Sequence, residues 1–156
     1  MANVFIWDGK EIHPTDNRIH EYAVSLRNAL ANLRIAMEQQ DYPVISVDEA
    51  MDFLSDTQDN NDWALLVGTS FISMVTTAEE WHSPGKVLAE EFFGPRAASA
   101  KVDLDEYIAG MKAMAVYCGC TEFLLGTLAN PRKDAMARAL TSRGMTVKTI
   151  TLRYKV

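Results

Sequence analysis

Apolar residues recur at steps of three and four between Pro14 and Gln40, with polar residues between them. The apolar positions are Ile19, Tyr22, Ala23, Leu26, Leu30, Leu33 and Met37. This spacing predicts an amphipathic helix whose apolar face lies on a core. A second, shorter helix is predicted to follow, because Ser46 and Glu49 have the spacing of a capping box and precede a short apolar run that ends near Ser55.

Two further helices are predicted in the second half of the chain. Asp103 is the expected N-cap of the first, with Glu106 as its capping-box partner and Gly119 as its C-cap. The dipeptide Asn130–Pro131 predicts the start of the other helix, since proline suits the first helical position. This last helix is expected to end at Gly144.

Short apolar or alternating runs predict the strands. They lie at 4–7, 63–67, 71–77, 87–93, 121–127 and 147–156. The three runs between 63 and 93 are close enough together for an antiparallel meander, whereas 87–93 and 121–127 flank a helix and form a β-α-β unit. We therefore expect one α+β domain over residues 1–156. Its mixed, mostly antiparallel sheet should have about six strands, with helices on both faces.

Composition narrows the classes of partner. The chain has 156 residues, of which 48% are hydrophobic and 23% charged, as in an ordinary globular domain. No apolar run approaches the roughly 18 residues of a membrane span, so we expect no membrane partner. The formal net charge of −6 argues against nucleic acid, because binding to phosphate backbones requires a basic face.

Cys118 and Cys120 are spaced C-x-C rather than the C-x-x-C of redox and zinc motifs, and we expect them to serve packing. The first ten residues lack the basic and apolar regions of a secretory signal. Both features indicate a reducing, cytoplasmic location. His13, His20 and His82 do not have the spacing of metal ligands, so no metal is expected.

The predicted order of elements resembles the GNAT family of N-acetyltransferases over nearly the whole chain. Gly144-Met145 matches the glycine and hydrophobic residue that commonly close the family's last helix. In that family, a loop of the form Arg/Gln-x-x-Gly-x-Gly/Ala follows the central strand and binds the pyrophosphate of coenzyme A. The nearest match here is Arg96-Ala-Ala-Ser-Ala-Lys101.

The resemblance implies a set of candidate site residues. Arg96, Ser99 and Lys101 are the candidate cofactor-binding residues of the loop. Asn130 matches an asparagine that touches the cofactor in the family, and its alternative role is a helix N-cap.

The catalytic candidates are Glu90 and Glu91, on the strand where many family members have a general-base glutamate. If the strand alternates, one carboxylate faces inward and needs a partner or a shifted pKa. We expect the inward one at a wet edge of the sheet or at a splay between strands, and the outward one in solvent.

The departures from the family pattern favour a degenerate site. Ser99 and Lys101 replace the glycines that let a backbone approach a phosphate. Leu140 stands where the family often has a proton-donating tyrosine. The acids Asp103, Asp105 and Glu106 occupy the helix start, where they satisfy amides and repel an anion.

Two functions stay open. The first is a GNAT-like domain without a cofactor that acts in binding or assembly, with a protein partner or by self-association; a phage structural or accessory protein of the host cytoplasm or virion is one form of it. The alternative is a divergent enzyme that transfers acetyl from acetyl-coenzyme A to an amine. For the first, whichever of Trp63, Phe71 and Trp81 faces outward is a candidate partner anchor.

Overall fold

The computed structural model describes residues 4–15, 19–57, 63–126, 132–149, 154 and 156. The strands are β1 (Val4–Trp7), β2 (Ile12–Thr15), β3 (Ala64–Val67), β4 (Phe71–Glu79), β5 (Lys86–Pro95) and β6 (Glu122–Leu124). The helices are α1 (Ala23–Gln39), α2 (Val47–Thr57), α3 (Leu104–Tyr117) and α4 (Lys133–Thr141), and a 3-10 turn over Ile19–Tyr22 precedes α1. Four helices and a six-stranded sheet confirm the predicted α+β class.

The strands form one open sheet in the order β2-β1-β3-β4-β5-β6. The pairs β1–β3 and β5–β6 are parallel, and the other three neighbouring pairs are antiparallel. The predicted meander corresponds to β3, β4 and β5. Because β5 and β6 are parallel neighbours joined through α3, the predicted central β-α-β unit is also confirmed.

Successive side chains along a strand point to opposite faces of the sheet and contribute to two hydrophobic cores. Leu65 and Val67 of β3 point to the side packed by α1 and α2, together with Leu26 of α1. Leu66, between them in sequence, belongs to the core on the other side, with Met111 of α3. The period of two along a strand thus places helices on both faces of the sheet.

The N-terminal hairpin and the C-terminal segment differ from the prediction. Ile12–Thr15 forms the edge strand β2, although Pro14 led us to expect a helix soon after it. Proline is tolerated there because an edge strand has one side without a ladder. Conversely, residues 145–149 form no strand, and 150–153 and 155 of the predicted last strand lie outside the described residues. Among the described residues, no helix has both the length and the apolar character needed to cross a bilayer.

Helix α1 approaches β5 closely at one point. A Cβ atom added to Gly94 would lie 3.0 Å from the Cβ of Ala29 and 3.1 Å from its Cα. Ala29 is buried on α1, and its backbone cannot rotate away as a side chain could. Gly94 therefore sets the distance between α1 and the sheet.

We predict that Gly94→Ala destabilises the protein by about 1–3 kcal/mol, because a methyl group is forced against a helix backbone. The free energy of unfolding, measured by urea denaturation, tests this. In a double-mutant cycle, Ala29→Gly should relieve part of the cost and give a favourable coupling with Gly94→Ala. Additive effects of the two substitutions would show that the contact does not set the distance.

Candidate functional site

Strands β5 and β6 run side by side only over a short distance. Their ladder pairs Val87 with Glu122, Leu88 with Phe123 and Ala89 with Leu124. β5 continues to Pro95, whereas β6 ends at Leu124. The two strands of the central β-α-β unit therefore separate at their carboxyl ends, which is where ligands of such units usually bind.

A side chain takes over where the ladder stops. The backbone N–H of Gly126 donates to Oε2 of Glu90 at 2.9 Å. Among the described residues this is the one hydrogen bond that the Glu90 carboxylate makes. One carboxylate oxygen is thus engaged in holding the fork between the strands, and the other has the capacity to bind a ligand.

A β-bulge lies at the same place in β5. In the ladder with β4, Met74 pairs with Phe92 and Val75 pairs with Glu90, so that Glu91 is an extra residue without an opposite partner. A bulge of this kind bends the strand and redirects the neighbouring side chains. As a result, Glu90 is half-buried at the fork and Glu91 is exposed.

The separation of the strands opens a cavity of about 840 Å³. This is in the size range of pockets that bind drug-sized molecules. The carboxyl half of β5 forms one wall, and α1, the segment before α3, and α4 form the others. Apolar lining residues include Leu33, Ala36, Met37, Phe92, Phe93, Val102, Leu104 and Met136. The polar lining residues are Asn32, Tyr42, Glu90, Glu91, Lys101 and Arg132.

Burial raises the pKa of Glu90 from 4.5 to about 7. The hydrogen bond from Gly126 opposes this shift by stabilising the charged form, and the neighbouring charge of Glu91 adds to it. Near neutral pH the group therefore exchanges readily between carboxylate and acid, which suits proton transfer or pH-dependent binding.

The predicted site residues come together only in part. Glu90, Glu91 and Lys101 all line the cavity. Glu91 also accepts a hydrogen bond from the Thr76 hydroxyl at 3.2 Å, and it is the solvent-facing member of the pair. The expectation of one carboxylate at a splay and one in solvent thus matches the geometry.

Arg96 and Ser99 do not line this cavity. The Arg96 guanidinium donates to the carbonyl of Gly68 at 3.0 Å, in the turn between β3 and β4, and Ser99 is exposed. Asn130 lies outside the described residues. Of the four candidate cofactor-binding residues, Lys101 alone is placed at the cavity by the structure.

The acids at the start of α3 are engaged with the protein itself. Asp103 is the N-cap, as predicted, and accepts from the backbone N–H groups of Asp105 and Glu106 at 3.0 and 3.2 Å. Asp105 pairs with Arg143 at 2.7 Å. The start of α3 is therefore closed by its own carboxylates.

Glu106 was expected to reach back to the cap, and this was wrong. Its Oε1 instead accepts from the amides of Thr69 and Ser70 at 2.7 and 3.2 Å. The Ser70 hydroxyl takes the role expected of Glu106, because it accepts from the Asp103 amide at 3.0 Å. The helix start and the β3–β4 turn thus cap each other.

Gly126 and the α1 wall are parts of the site that the sequence pattern does not predict. Leu33 and Met37 were read as core positions of α1, and the apolar stripe does not distinguish a core from a cavity wall. Gly126 carried one usable signal: a glycine near the carboxyl end of the predicted strand 121–127 permits close approach of another group.

The surroundings of the other candidate residues from the sequence do not indicate reactive or metal-binding chemistry. Burial raises the pKa of both Cys118 and Cys120, which disfavours a reactive thiolate. Trp63 and Phe71 are buried, whereas Trp81 is 97% exposed. No group of three or more potential ligands arranged to hold a metal ion occurs within the described part of the chain.

Compared with known proteins, the sequence matches no family model and no curated protein.

We predict that Glu90 makes the protein less stable as the pH rises. The folded state keeps a proton that the unfolded chain releases near pH 4.5, so the stability contributed by Glu90 is complete below that pH and is lost as the pH passes about 7. The loss is on the order of 3 kcal/mol. Glu90→Gln should remove this decline while keeping an acceptor for Gly126.

Urea denaturation at about pH 5 and about pH 8.5 measures the effect. Glu91→Gln is the matched control, since Glu91 is exposed next to Glu90, and it should keep most of the wild-type decline, because burial contributes more to the raised pKa of Glu90 than the charge of Glu91 does. An unchanged decline in Glu90→Gln would contradict the assignment.

Proposed function

We propose that this chain is a divergent GNAT-like domain that acts by binding, with the cavity beside Glu90 as its ligand site and without acetyl-coenzyme A as a cofactor. The ligand has an apolar body and a hydrogen-bond donor that meets the Glu90 carboxylate. The same proposal covers a role in assembly, as in a phage structural or accessory protein, where a segment of a protein partner or of another copy supplies that body and donor.

The closed start of α3 is the observation that carries this proposal. A diphosphate at this place would need backbone amides and the positive end of the helix dipole. Asp103 already accepts from the amides of Asp105 and Glu106, and its charge opposes an anion. Arg96 is turned to the carbonyl of Gly68. The amides at the helix start and the Arg96 guanidinium are thus committed elsewhere.

The cavity itself supports a small, mainly apolar ligand. Apolar side chains on several elements line it, and burying apolar area supplies the affinity of such sites. Glu90 is the half-buried carboxyl group among them, which gives the ligand its orientation. A protonated amine is the donor that gains most from an ionised carboxylate.

We predict that n-hexylamine binds the wild-type protein about tenfold more tightly than n-hexanol at about pH 8.5. The two probes share an apolar chain, but only the ammonium group pairs with ionised Glu90. The preference should shrink at about pH 6, because Glu90 then holds its proton. Isothermal titration calorimetry measures both affinities.

Two variants separate the contribution of the Glu90 charge from that of the apolar chain of the ligand. Glu90→Gln should abolish the preference for the amine and retain binding of the alcohol, and Glu91→Gln should retain both. Equal affinities of the two probes for wild type and Glu90→Gln at about pH 8.5 would overturn the ligand chemistry.

The second candidate function is N-acetyl transfer, and the position of Glu90 favours it. A carboxylate with a pKa of about 7 at the fork of β5 and β6 is suited to remove a proton from an amine. The amine nitrogen would then attack the thioester carbonyl of acetyl-coenzyme A, and coenzyme A would leave as its thiolate. Lys101 lines the same cavity and would face the anionic cofactor.

The two functions give opposite results in a thermal-shift titration with acetyl-coenzyme A at about 1 mM. The binding proposal predicts no change in melting temperature. A rise in melting temperature that Lys101→Glu abolishes would favour the enzyme, and acetylation of an amine that Glu90→Gln lowers would establish it.

A further inference from the structure

Ser73 is a buried polar residue with no exposed surface. It lies on β4, where its hydroxyl donates to the backbone carbonyl of Phe92 at 3.2 Å. The same oxygen is 3.0 Å from the hydroxyl of Tyr107 on α3. A buried hydroxyl without partners is costly, and here both partners are supplied.

The direction of this short chain of hydrogen bonds follows from counting hydrogens. A serine hydroxyl has one hydrogen, which is directed to the Phe92 carbonyl, so Tyr107 is the donor to Ser73. Burial raises the pKa of Tyr107 well above its usual range, which keeps that donor protonated. The chain runs from the Tyr107 hydroxyl through Ser73 to Phe92.

Phe92 directly follows the bulge. The ladder pairs Met74 with Phe92 and then Val75 with Glu90, leaving Glu91 as the extra residue. A bulge disrupts the ladder locally, and the Ser73 hydroxyl bonds to a strand carbonyl next to this disruption. The buried Ser73 hydroxyl is therefore located beside the bulge that sets the orientation of Glu90.

Aromatic packing fixes the other end of the chain. The Tyr107 ring stacks on Phe93 with a centroid distance of 4.3 Å and an interplanar angle of 22°. It meets Phe71 edge-on, with centroids 4.9 Å apart. Rings packed on two sides leave the Tyr107 hydroxyl little freedom, so it is a rigid donor.

We propose that Ser73 and Tyr107 are positioning residues, which hold the β5 bulge in the register that turns Glu90 into the cavity. Neither residue lines the cavity. Their importance for ligand binding rests on the proposed function, but their effect on Glu90 does not, because it is a property of the unliganded protein.

The test must separate a change in the position of Glu90 from a change in the charged groups around it. Glu91 is the neighbouring carboxylate on β5, and the charge of Glu90 contributes to the raised pKa of Tyr107 on α3. Lys101, before α3, and Arg132, before α4, line the same cavity. Tyr42, after α1, completes the titratable groups of the lining. Neither Ser73→Ala nor Tyr107→Phe alters a group that is charged near neutral pH, so a shift in the Glu90 titration would report its position.

The experiment is a pH titration of the Glu90 side-chain carboxyl by carbon-13 NMR, with Glu90→Gln used to assign the signal. In the wild type the midpoint should lie at about 7. Ser73→Ala should lower it by about one unit or more, because relaxation of the bulge lets the carboxylate reach water. Tyr107→Phe keeps the ring packing and should shift the midpoint in the same direction by a smaller amount.

Two controls make the outcome decisive. Thr76→Ala removes the β4 hydroxyl that bonds Glu91 and should leave the Glu90 midpoint unchanged. Ser73→Thr keeps the hydroxyl and should restore the wild-type value. A midpoint that stays at the wild-type value in Ser73→Ala and Tyr107→Phe, while their melting temperatures fall, would reduce the pair to a stabilising role and overturn the proposal. Failure of the amine probe to bind would leave this result unaffected.

Discussion

The separation of two parallel strands leaves backbone groups that a regular ladder would have paired, and those groups need other partners. Here β5 and β6 stop pairing after Ala89 and Leu124, and the Glu90 side chain accepts the amide of Gly126. One carboxylate oxygen thus accepts the backbone amide that a continued strand would otherwise have paired. The arrangement keeps the fork open and places a half-buried acid at its base, so that the cavity and the raised pKa of Glu90 have the same origin.

The start of α3 and the fork between β5 and β6 differ in the polar groups that they leave for a ligand. At the start of α3, Asp103, Asp105 and Glu106 all bond to the protein itself, and the dipole of the helix is already met by carboxylates. At the fork, Glu90 has a single hydrogen bond among the described residues. A ligand needs groups that are not committed elsewhere. We therefore propose binding at the fork rather than binding of a diphosphate at the start of the helix.

Local signals in the sequence predicted the helices and strands better than the contacts between distant segments. The stripe of α1, the Asp103 cap of α3 and the alternation that makes one glutamate face inward all depend on residues within a turn or two of each other. The partner of Glu106 lies in the β3–β4 turn, and the bulge at Glu91 depends on pairing with β4, so neither could be read from its own segment. No strand is predicted at Ile12–Thr15, since the helical pattern is placed after Pro14, although an edge strand tolerates proline.

The hydrogen bond between Gly126 and Glu90 is open to direct observation. The amide proton of Gly126 should shift in the NMR spectrum as Glu90 ionises, because a carboxylate is a stronger acceptor than the acid. The account predicts one titration of this amide with a midpoint of about pH 7, matching Glu90, and its absence in Glu90→Gln. A Gly126 amide that does not titrate would show that the carboxylate does not hold the fork, and a midpoint near pH 4.5 would show that burial at the fork does not raise the pKa of Glu90.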